Sequence, residues 1–311
     1  MATYLTLDGG TTNTLISLVR ENNVIDTVKF PVGAKAGIDG NSLLIKTVKD
    51  GISDILSRNN VKECDVCAVL ASGMITSEFG LYKLDHMIAP VGIHELHDGM
   101  AEVSLPDISS VPFVFLRGIK TVGDKLYDFN MMRGEETELM GIADSKYGSC
   151  IYILPGSHSK IIRINENGEI FEFISTLTGE MIAALTKGTI LSTCVDLNSK
   201  LCDEGLFEGY DYAYEYGINE ALLKTRTLAN IMKKDSDYLY SFFLGVVLCD
   251  EIKATVKMAE KTVVISGRAE IKLAIATLLG KYSDKKVIAL DKALVDSSTV
   301  RGAIKIYEYN K

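Results

Sequence analysis

A strand–turn–strand hairpin that occurs twice, half a chain apart, constrains this sequence more than any other feature. Tyr4 to Leu7 and Leu15 to Val19 are apolar runs on either side of Asp8-Gly9-Gly10-Thr11-Thr12-Asn13, and Ile151 to Ile164 repeats the outline around Pro155-Gly156-Ser157-His158-Ser159. Glycines and hydroxyl residues between two apolar runs read as a tight reversal between strands. Used twice, it predicts two related halves, each with a turn whose successive backbone N–H groups can meet an anion. The competing reading is two unrelated hairpins that coincide in outline.

The remaining pattern alternates helix and strand. A helical period runs through Leu43, Leu44, Val48, Ile52 and Ile55, and a strand at Val66 to Leu70 leads into Ser72-Gly73-Met74. Another strand, Phe113 to Leu116, follows Pro112. The second half adds a long helix around Ser241 to Ala259, a strand at Thr262 to Ile265, a helix to Leu279, a strand at Val287 to Leu290 and a closing helix. Mixed α/β is the fold class this predicts. The 311 residues leave room for two domains, expected at 1–140 and 141–311 with a hinge near Arg133 to Ser149.

A net charge of −8 without a long basic run argues against a nucleic-acid or membrane-surface binder. An anionic ligand must then be met by a few placed donors. The apolar run Phe242 to Cys249 is broken by Gly245 and is far too short to cross a bilayer. With no secretory signal visible, the six cysteines read as reduced thiols and the expected location is cytoplasmic. The expected partner is a small molecule, and a homodimer is left open.

Four segments carry candidate chemistry, and three familiar ones are missing: G-x-G-x-x-G, the P-loop and G-x-S-x-G. Asp8, Gly9, Gly10, Thr11, Thr12 and Asn13 bring a carboxylate, backbone amides and hydroxyls to a strand end, which suits a hydrated Mg²⁺ beside phosphate oxygens. The plain alternative is a hairpin whose polar side chains satisfy the turn. Arg133-Gly134-Glu135-Glu136-Thr137-Glu138 offers a general base for a substrate hydroxyl and an anchor for a substrate anion, or simply first-turn acids favoured by the helix dipole. Pro155-Gly156-Ser157-His158-Ser159-Lys160 has a density of donors that suits a polyphosphate. Ser266-Gly267-Arg268, between a strand and a helix, could seat a nucleotide at the helix N-terminus.

Two constellations invite a metal and are discounted. Cys64 and Cys67 form a C-x-x-C without a second pair, and Cys67 is expected in the core. His86, His94, His97 and Asp98 are too openly spaced for a site.

Several segments in order resemble the 2-dehydro-3-deoxygalactonokinase family, also called 2-oxo-3-deoxygalactonate kinase. Leu7 to Asn13 is similar to its first phosphate motif, although Gly9 stands where the family has Trp and Leu15 where it has Arg. Gly73-Met74-Ile75 resembles its G-M-[IV] turn. Met132 to Gly141 resembles M-R-G-E-E-T-Q-L-x-G, the most specific match. Leu154 to Lys160 resembles P-G-T-H-[SC]-K, Leu177-Thr178-Gly179-Glu180 resembles M-T-G-E, and Gly245 to Glu251 also fits.

The resemblance implies two actin/hexokinase-like (ribonuclease H-like) α/β domains with a ligand cleft between them. It implies a phosphotransferase that uses ATP and Mg²⁺ to phosphorylate the 6-hydroxyl of the sugar acid 2-dehydro-3-deoxy-D-galactonate. Asp8 would assist the metal, Gly10 to Asn13 and Gly156 to Lys160 would hold phosphates, and Ser266 to Arg268 would lie by the adenosine. Glu135 or Glu136 would orient or deprotonate the hydroxyl, with Arg133 near the acidic substrate and Gly73, Met74, Arg117 and Gly134 around it. Losing the Arg at position 15 removes a fixed cation, for which Arg117 or Lys160 would have to compensate. A kinase of the same fold for another sugar or acid, or an ATP-binding sensor without turnover, are the alternatives.

Overall fold

A computed structural model describes residues 2–38, 40–267 and 269–310. The chain forms two compact units: Met1–Lys146 with Glu166–Glu172 and Ala293–Lys311, and Tyr147–Asn165 with Phe173–Lys292. The division is not linear along the chain, because the last segment returns to the first unit.

In the first unit the opening strands are β1 (Thr3–Gly9), β2 (Thr14–Arg20) and β3 (Asn23–Phe30), followed by α1 (Ser42–Arg58) and β4 (Ala68–Gly73). Next come β5 (Met87–Ile88), α2 (Ile93–Asp98), β6 (Ala101–Val103), β7 (Phe113–Phe115), β8 (Ile119–Thr121), β9 (Asn130–Met132) and α3 (Glu135–Ile142). The main sheet runs β3-β2-β1-β4-β7-β6. Strand alternation sorts β1: Leu5 and Leu7 join the Leu44, Val48, Ile52 and Ile55 stripe of α1 in one core. Tyr4, Thr6 and Asp8 take the other face. There the Tyr4 hydroxyl donates to Glu308 Oε1 at 2.8 Å.

The second unit contains β10 (Cys150–Leu154), β11 (Ser159–Ile164), the part of β12 (Ile170–Thr176) from Phe173 on, α4 (Thr178–Gly188), α5 (Asp203–Tyr216), α6 (Ile218–Asn230) and α7 (Ser236–Lys257). It continues with β13 (Thr262–Ile265), α8 (Ala269–Tyr282) and β14 (Lys286–Ala289); α9 (Lys292–Asp296) and α10 (Ser298–Tyr307) complete the chain. Its sheet order, β12-β11-β10-β13-β14, matches β3-β2-β1-β4-β7 position by position. The pairing repeats too: β1 is antiparallel to β2 and parallel to β4, as β10 is to β11 and β13. The echo between the hairpins is therefore an echo of whole sheets.

Helix α7 is apolar nearly all round and buried along most of its length, as a helix inside a large core must be. Glycines let its neighbours come close: a β-carbon on Gly209 of α5 would overlap the Phe242 carbonyl. The same device joins α3 to α10, where β-carbons on Gly141 and Gly302 would overlap the Ser298 and Thr137 carbonyls. Helix α3 is thereby fixed against the face of the sheet that carries Asp8.

Several expectations shift. Cys67 is exposed, not core, because it lies between Val66 and Ala68, both buried, at the strand's entrance. That strand spans Ala68–Gly73 and absorbs Ser72 and Gly73, read as its following turn, while Met74 opens a short 3-10 turn. His97 is a packing residue, its Nδ1 2.8 Å from the Ile306 carbonyl. Among the described residues no helix is long and apolar enough to cross a membrane.

Candidate active site

In the first unit the end of β1, its turn and the start of α3 converge. Gly10 N–H donates to the Asn13 carbonyl at 2.8 Å, and the segment after β3 braces the turn from outside: Ala34 N–H donates to Gly10 O at 3.0 Å and Lys35 N–H to Thr11 O at 2.9 Å. Thr14 Oγ1 adds a bond to Val32 O at 2.7 Å. Held this way, Thr11, Thr12 and Asn13 stand exposed. Gly9 is required by contact, since a β-carbon there would sit 2.7 Å from the Ile75 Cβ.

Gly73 and Gly134 bring the other segments to Asp8. Both have positive φ, +80° and +112°, where glycine carries no steric penalty. A β-carbon on Gly73 would lie 3.3 Å from Asp8 Oδ1, and one on Gly134 3.2 Å from the Gly73 Cα. Helix α3 starts at the next residue, so Glu135 and Glu136 enter beside Asp8. Met74 follows Gly73 and is half-buried.

The three carboxyl groups are electrostatically crowded. Burial, then the charge of Glu135, pushes the Asp8 carboxyl up to about 6. Burial and Glu135 push Glu136 further, to about 8, although both its oxygens accept the Gly134 N–H at 2.9 Å. Glu136 has no exposed surface, whereas Glu135 is half-buried and accepts the Arg133 N–H at 3.0 Å. Leu15 is the register partner of Asp8. Partners across an antiparallel pair share a face, so the position that could carry a neutralising cation beside Asp8 carries a leucine.

Arg133 does not stand ready as an anion anchor. Its Nη1 donates to Thr76 O at 2.8 Å and Thr76 Oγ1 at 2.5 Å, and its Nη2 to Leu84 O at 2.9 Å and His86 Nδ1 at 3.2 Å. An arginine only donates, so His86 accepts at Nδ1 and carries its proton on Nε2. Burial and then Arg133 hold His86 down to about 4. Arg117 is similarly engaged, donating to Gly99 O at 2.7 Å and Asp85 O at 3.3 Å. Both guanidiniums brace loops around the site.

In the second unit the turn after β10 meets two other segments. A β-carbon on Gly179, in the first turn of α4, would overlap the Gly156 carbonyl, and Glu180 N–H donates to Ser157 O at 3.1 Å. Glu180 Oε1 lies 3.1 Å from His158 Nε2. On the other side Ser266 N–H donates to Ile153 O at 2.9 Å, and a β-carbon on Gly267, whose φ is +88°, would lie 2.9 Å from Pro155 Cδ. Gly156, Ser157 and His158 are exposed, Lys160 is buried, and the buried Ser159 hydroxyl has no hydrogen-bond partner among the described residues. Arg268 lies outside the described residues.

Sequence reading missed the groups that hold these segments. Thr76 and His86 hold Arg133. Buried Glu251 in α7 accepts from Thr176 Oγ1 at 2.5 Å and from Thr178 Oγ1, which fixes the entry to α4. Its signal was legible: an acid in the midst of an otherwise apolar helix needs a partner. Among the described residues no three His, Cys, Asp or Glu side chains converge as an all-protein metal site.

The sequence profile of the 2-keto-3-deoxy-galactonokinase family matches residues 8–304. The chain belongs to that family. Within the family it is similar to a protein of Rhizobium meliloti (strain 1021) named "Probable 2-dehydro-3-deoxygalactonokinase DgoK1", with 30% identity over 41% of this chain and 40% of that protein. It is also similar to the 2-dehydro-3-deoxygalactonokinase of Escherichia coli (strain K12), with 24% identity over 58% of this chain and 55% of that protein. The aligned part thus spans about half the length, or less, of these curated relatives. A crystal structure titled "putative 2-dehydro-3-deoxygalactonokinase protein" from Sinorhizobium meliloti shares the fold, with a TM-score of 0.79 and 19% identity over 98% of each chain. The mixed α/β fold of two related sheets is therefore shared with that structure.

Proposed function

We propose that this chain is an ATP-dependent sugar-acid kinase that phosphorylates the 6-hydroxyl of 2-dehydro-3-deoxy-D-galactonate, with Mg²⁺ as its cation. The reading rests above all on the gathering of Asp8 and Glu135 at the end of β1, beside a turn of exposed hydroxyls. Membership of the family supports the same substrate class.

The residues fit the groups the reaction needs. A carboxyl pushed up to about 6 by burial and a like charge is short of positive charge nearby, and Mg²⁺ is commonly held by one or two carboxylates plus phosphate and water. In the second unit, glycine contacts at Gly156 and Gly179 and the Ser159 hydroxyl, which has no partner among the described residues, suit phosphate oxygens. Bound Mg·ATP would supply the transferable phosphoryl group and offset the charge that develops on it.

The chain's own part is to position and to move one proton. Asp8 is the cation's carboxylate. Glu135, half-buried at the helix start, accepts the proton of the attacking hydroxyl at a carboxylate oxygen. Glu136, fully buried, positions that helix start by holding the Gly134 N–H. In the first unit Thr11, Thr12 and Asn13 offer donors that suit phosphate; in the second, Ser157 and His158 do so in their own turn, which Ser266 and Gly267 flank where the nucleotide would rest. A cytoplasmic setting, with ATP at hand, accords with six free thiols.

The leucine at position 15 favours one second reading, a kinase of the same fold for a different sugar acid. A coupled ADP-release assay with Mg·ATP against a panel of 2-dehydro-3-deoxy sugar acids and simple hexoses separates the two. Turnover confined to 2-dehydro-3-deoxygalactonate is the expected result. Turnover with another acid moves the substrate, and ATP binding without turnover on any acid favours a sensor.

A further inference from the structure

Glu251 puts a carboxylate inside an apolar core. It lies on α7 between Leu248 and Ile252, neither of which has exposed surface, and is itself only 1% exposed. Its hydrogen-bond donors among the described residues are two neutral hydroxyls. Oε1 accepts from Thr176 Oγ1 at 2.5 Å and from Thr178 Oγ1, while the buried Oε2 has no hydrogen-bond partner among those residues.

Each threonine hydroxyl has one proton to give. Both protons go to Oε1, so none is left to join the two hydroxyls, although their oxygens are 2.9 Å apart. Two donors converging on one atom require an acceptor that carries no proton of its own. A buried carboxylate bonded at one oxygen by neutral groups and at the other by none of the described residues costs stability rather than adding to it. Such a group calls for a role outside folding.

What Glu251 holds is the first turn of α4. Within that helix only Thr178 and Ile182 are buried, and Leu177 just before it is 55% exposed, so apolar packing holds little of this end. The Thr178 hydroxyl anchors it through Glu251. The next two residues carry the constraint to the turn after β10. A β-carbon on Gly179 would overlap the Gly156 carbonyl oxygen and stand 2.9 Å from the Ser157 Cα, and Glu180 N–H donates to Ser157 O at 3.1 Å. From Glu251 Oε1 to the exposed Gly156 and Ser157 the path is one of direct contacts, and its last step is backbone against backbone.

We infer that Glu251 is a positioning residue for nucleotide phosphates: through Thr178 and the first turn of α4 it sets the turn at Gly156 and Ser157 that would meet them. The inference rests on the ATP part of the proposed function.

Titration calorimetry of the full chain with Mg·ATP, in the absence of any sugar acid, tests it on wild type, Glu251→Leu and Glu251→Gln. Leucine is of similar size, offers no acceptor and frees the two hydroxyls to pair with each other; glutamine restores a proton-free acceptor oxygen. Kd for Mg·ATP is expected to weaken about 10-fold or more in Glu251→Leu and to return to within about 3-fold of wild type in Glu251→Gln. The melting temperature of Glu251→Leu should be no lower than that of wild type, because a buried charge has been removed. In turnover, KM for Mg·ATP should rise with Kd while KM for the sugar acid stays within about twofold. Thr178→Val removes the hydroxyl from the other side of the bond and gives the same loss of affinity should Glu251→Leu misfold. Wild-type affinity in a folded Glu251→Leu or Thr178→Val overturns this inference alone. A wild type that does not bind Mg·ATP overturns it together with the ATP-dependent reading.

Discussion

Gly134 meets Gly73 backbone to backbone: a β-carbon on Gly134 would stand 3.2 Å from the Gly73 Cα, with φ of +112° at one residue and +80° at the other. Through this contact the start of α3 reaches the end of β1. Gly134→Ala is expected to cost about 1–3 kcal/mol of stability through backbone strain. It should lower kcat about 100-fold by displacing Glu135. Denaturant melts and steady-state kinetics check both; a folded variant with unchanged kcat would detach α3 placement from catalysis.

Burial raises Glu136 from 4.5 to about 8, so the folded protein binds a proton that the unfolded chain releases. The stabilisation from that proton is full below about pH 4.5 and is lost as the pH rises through about 8, on the order of 5 kcal/mol across the window. Glu136→Gln should therefore melt close to wild type at low pH and above wild type at pH 8.5. Parallel melting curves across this range would contradict the assignment.

Asp8 gives a kinetic signature of a different kind. Its carboxyl is held up to about 6, and a cation binds the deprotonated form. In kcat/KM against pH, activity should rise through about 6 at limiting Mg²⁺, and the limb should move to lower pH as Mg²⁺ increases. A limb that ignores Mg²⁺ would separate Asp8 from the cation.

Arg133 makes the opposite kind of prediction, because its guanidinium is spent on Thr76, Leu84 and His86. Arg133→Lys cannot reproduce that fork. It should cost about 2–3 kcal/mol of stability with a smaller change in KM for the sugar acid. A large rise in KM with unchanged stability would restore Arg133 as a substrate anchor.

The sequence made the hairpins legible because glycine, hydroxyl and apolar residues alternate there at the period of paired strands, and the matching sheet orders follow from them. Asp8, Gly134 and Glu135 were legible as separate segments. Their meeting was not, since it depends on Gly73 and Gly134 having no side chain, a property that spacing along the chain does not express. The partners of Arg133 were not legible for a related reason: the carbonyls of Thr76 and Leu84 that it bonds are backbone atoms, which any residue type supplies. The helices α4 to α6 went unread because their first turns hold the glycines and polar residues of the M-T-G-E-like segment and its successors, which mask the apolar period. Cys67 looked like core because it adjoins an apolar run, yet it lies just before the strand, whose buried residues begin at Ala68, and stands exposed.

The most direct measurement follows the products of one reaction. The full chain is incubated with Mg·ATP and 2-dehydro-3-deoxy-D-galactonate, ADP is counted and the site of phosphate attachment is read by phosphorus NMR, for wild type and for Asp8→Asn. The account predicts one ADP for each 6-phosphorylated acid, and a rate lower by about 1,000-fold or more in Asp8→Asn with the fold intact. No phosphorylated acid from a protein that binds ATP, or equal rates in the two proteins, would contradict it.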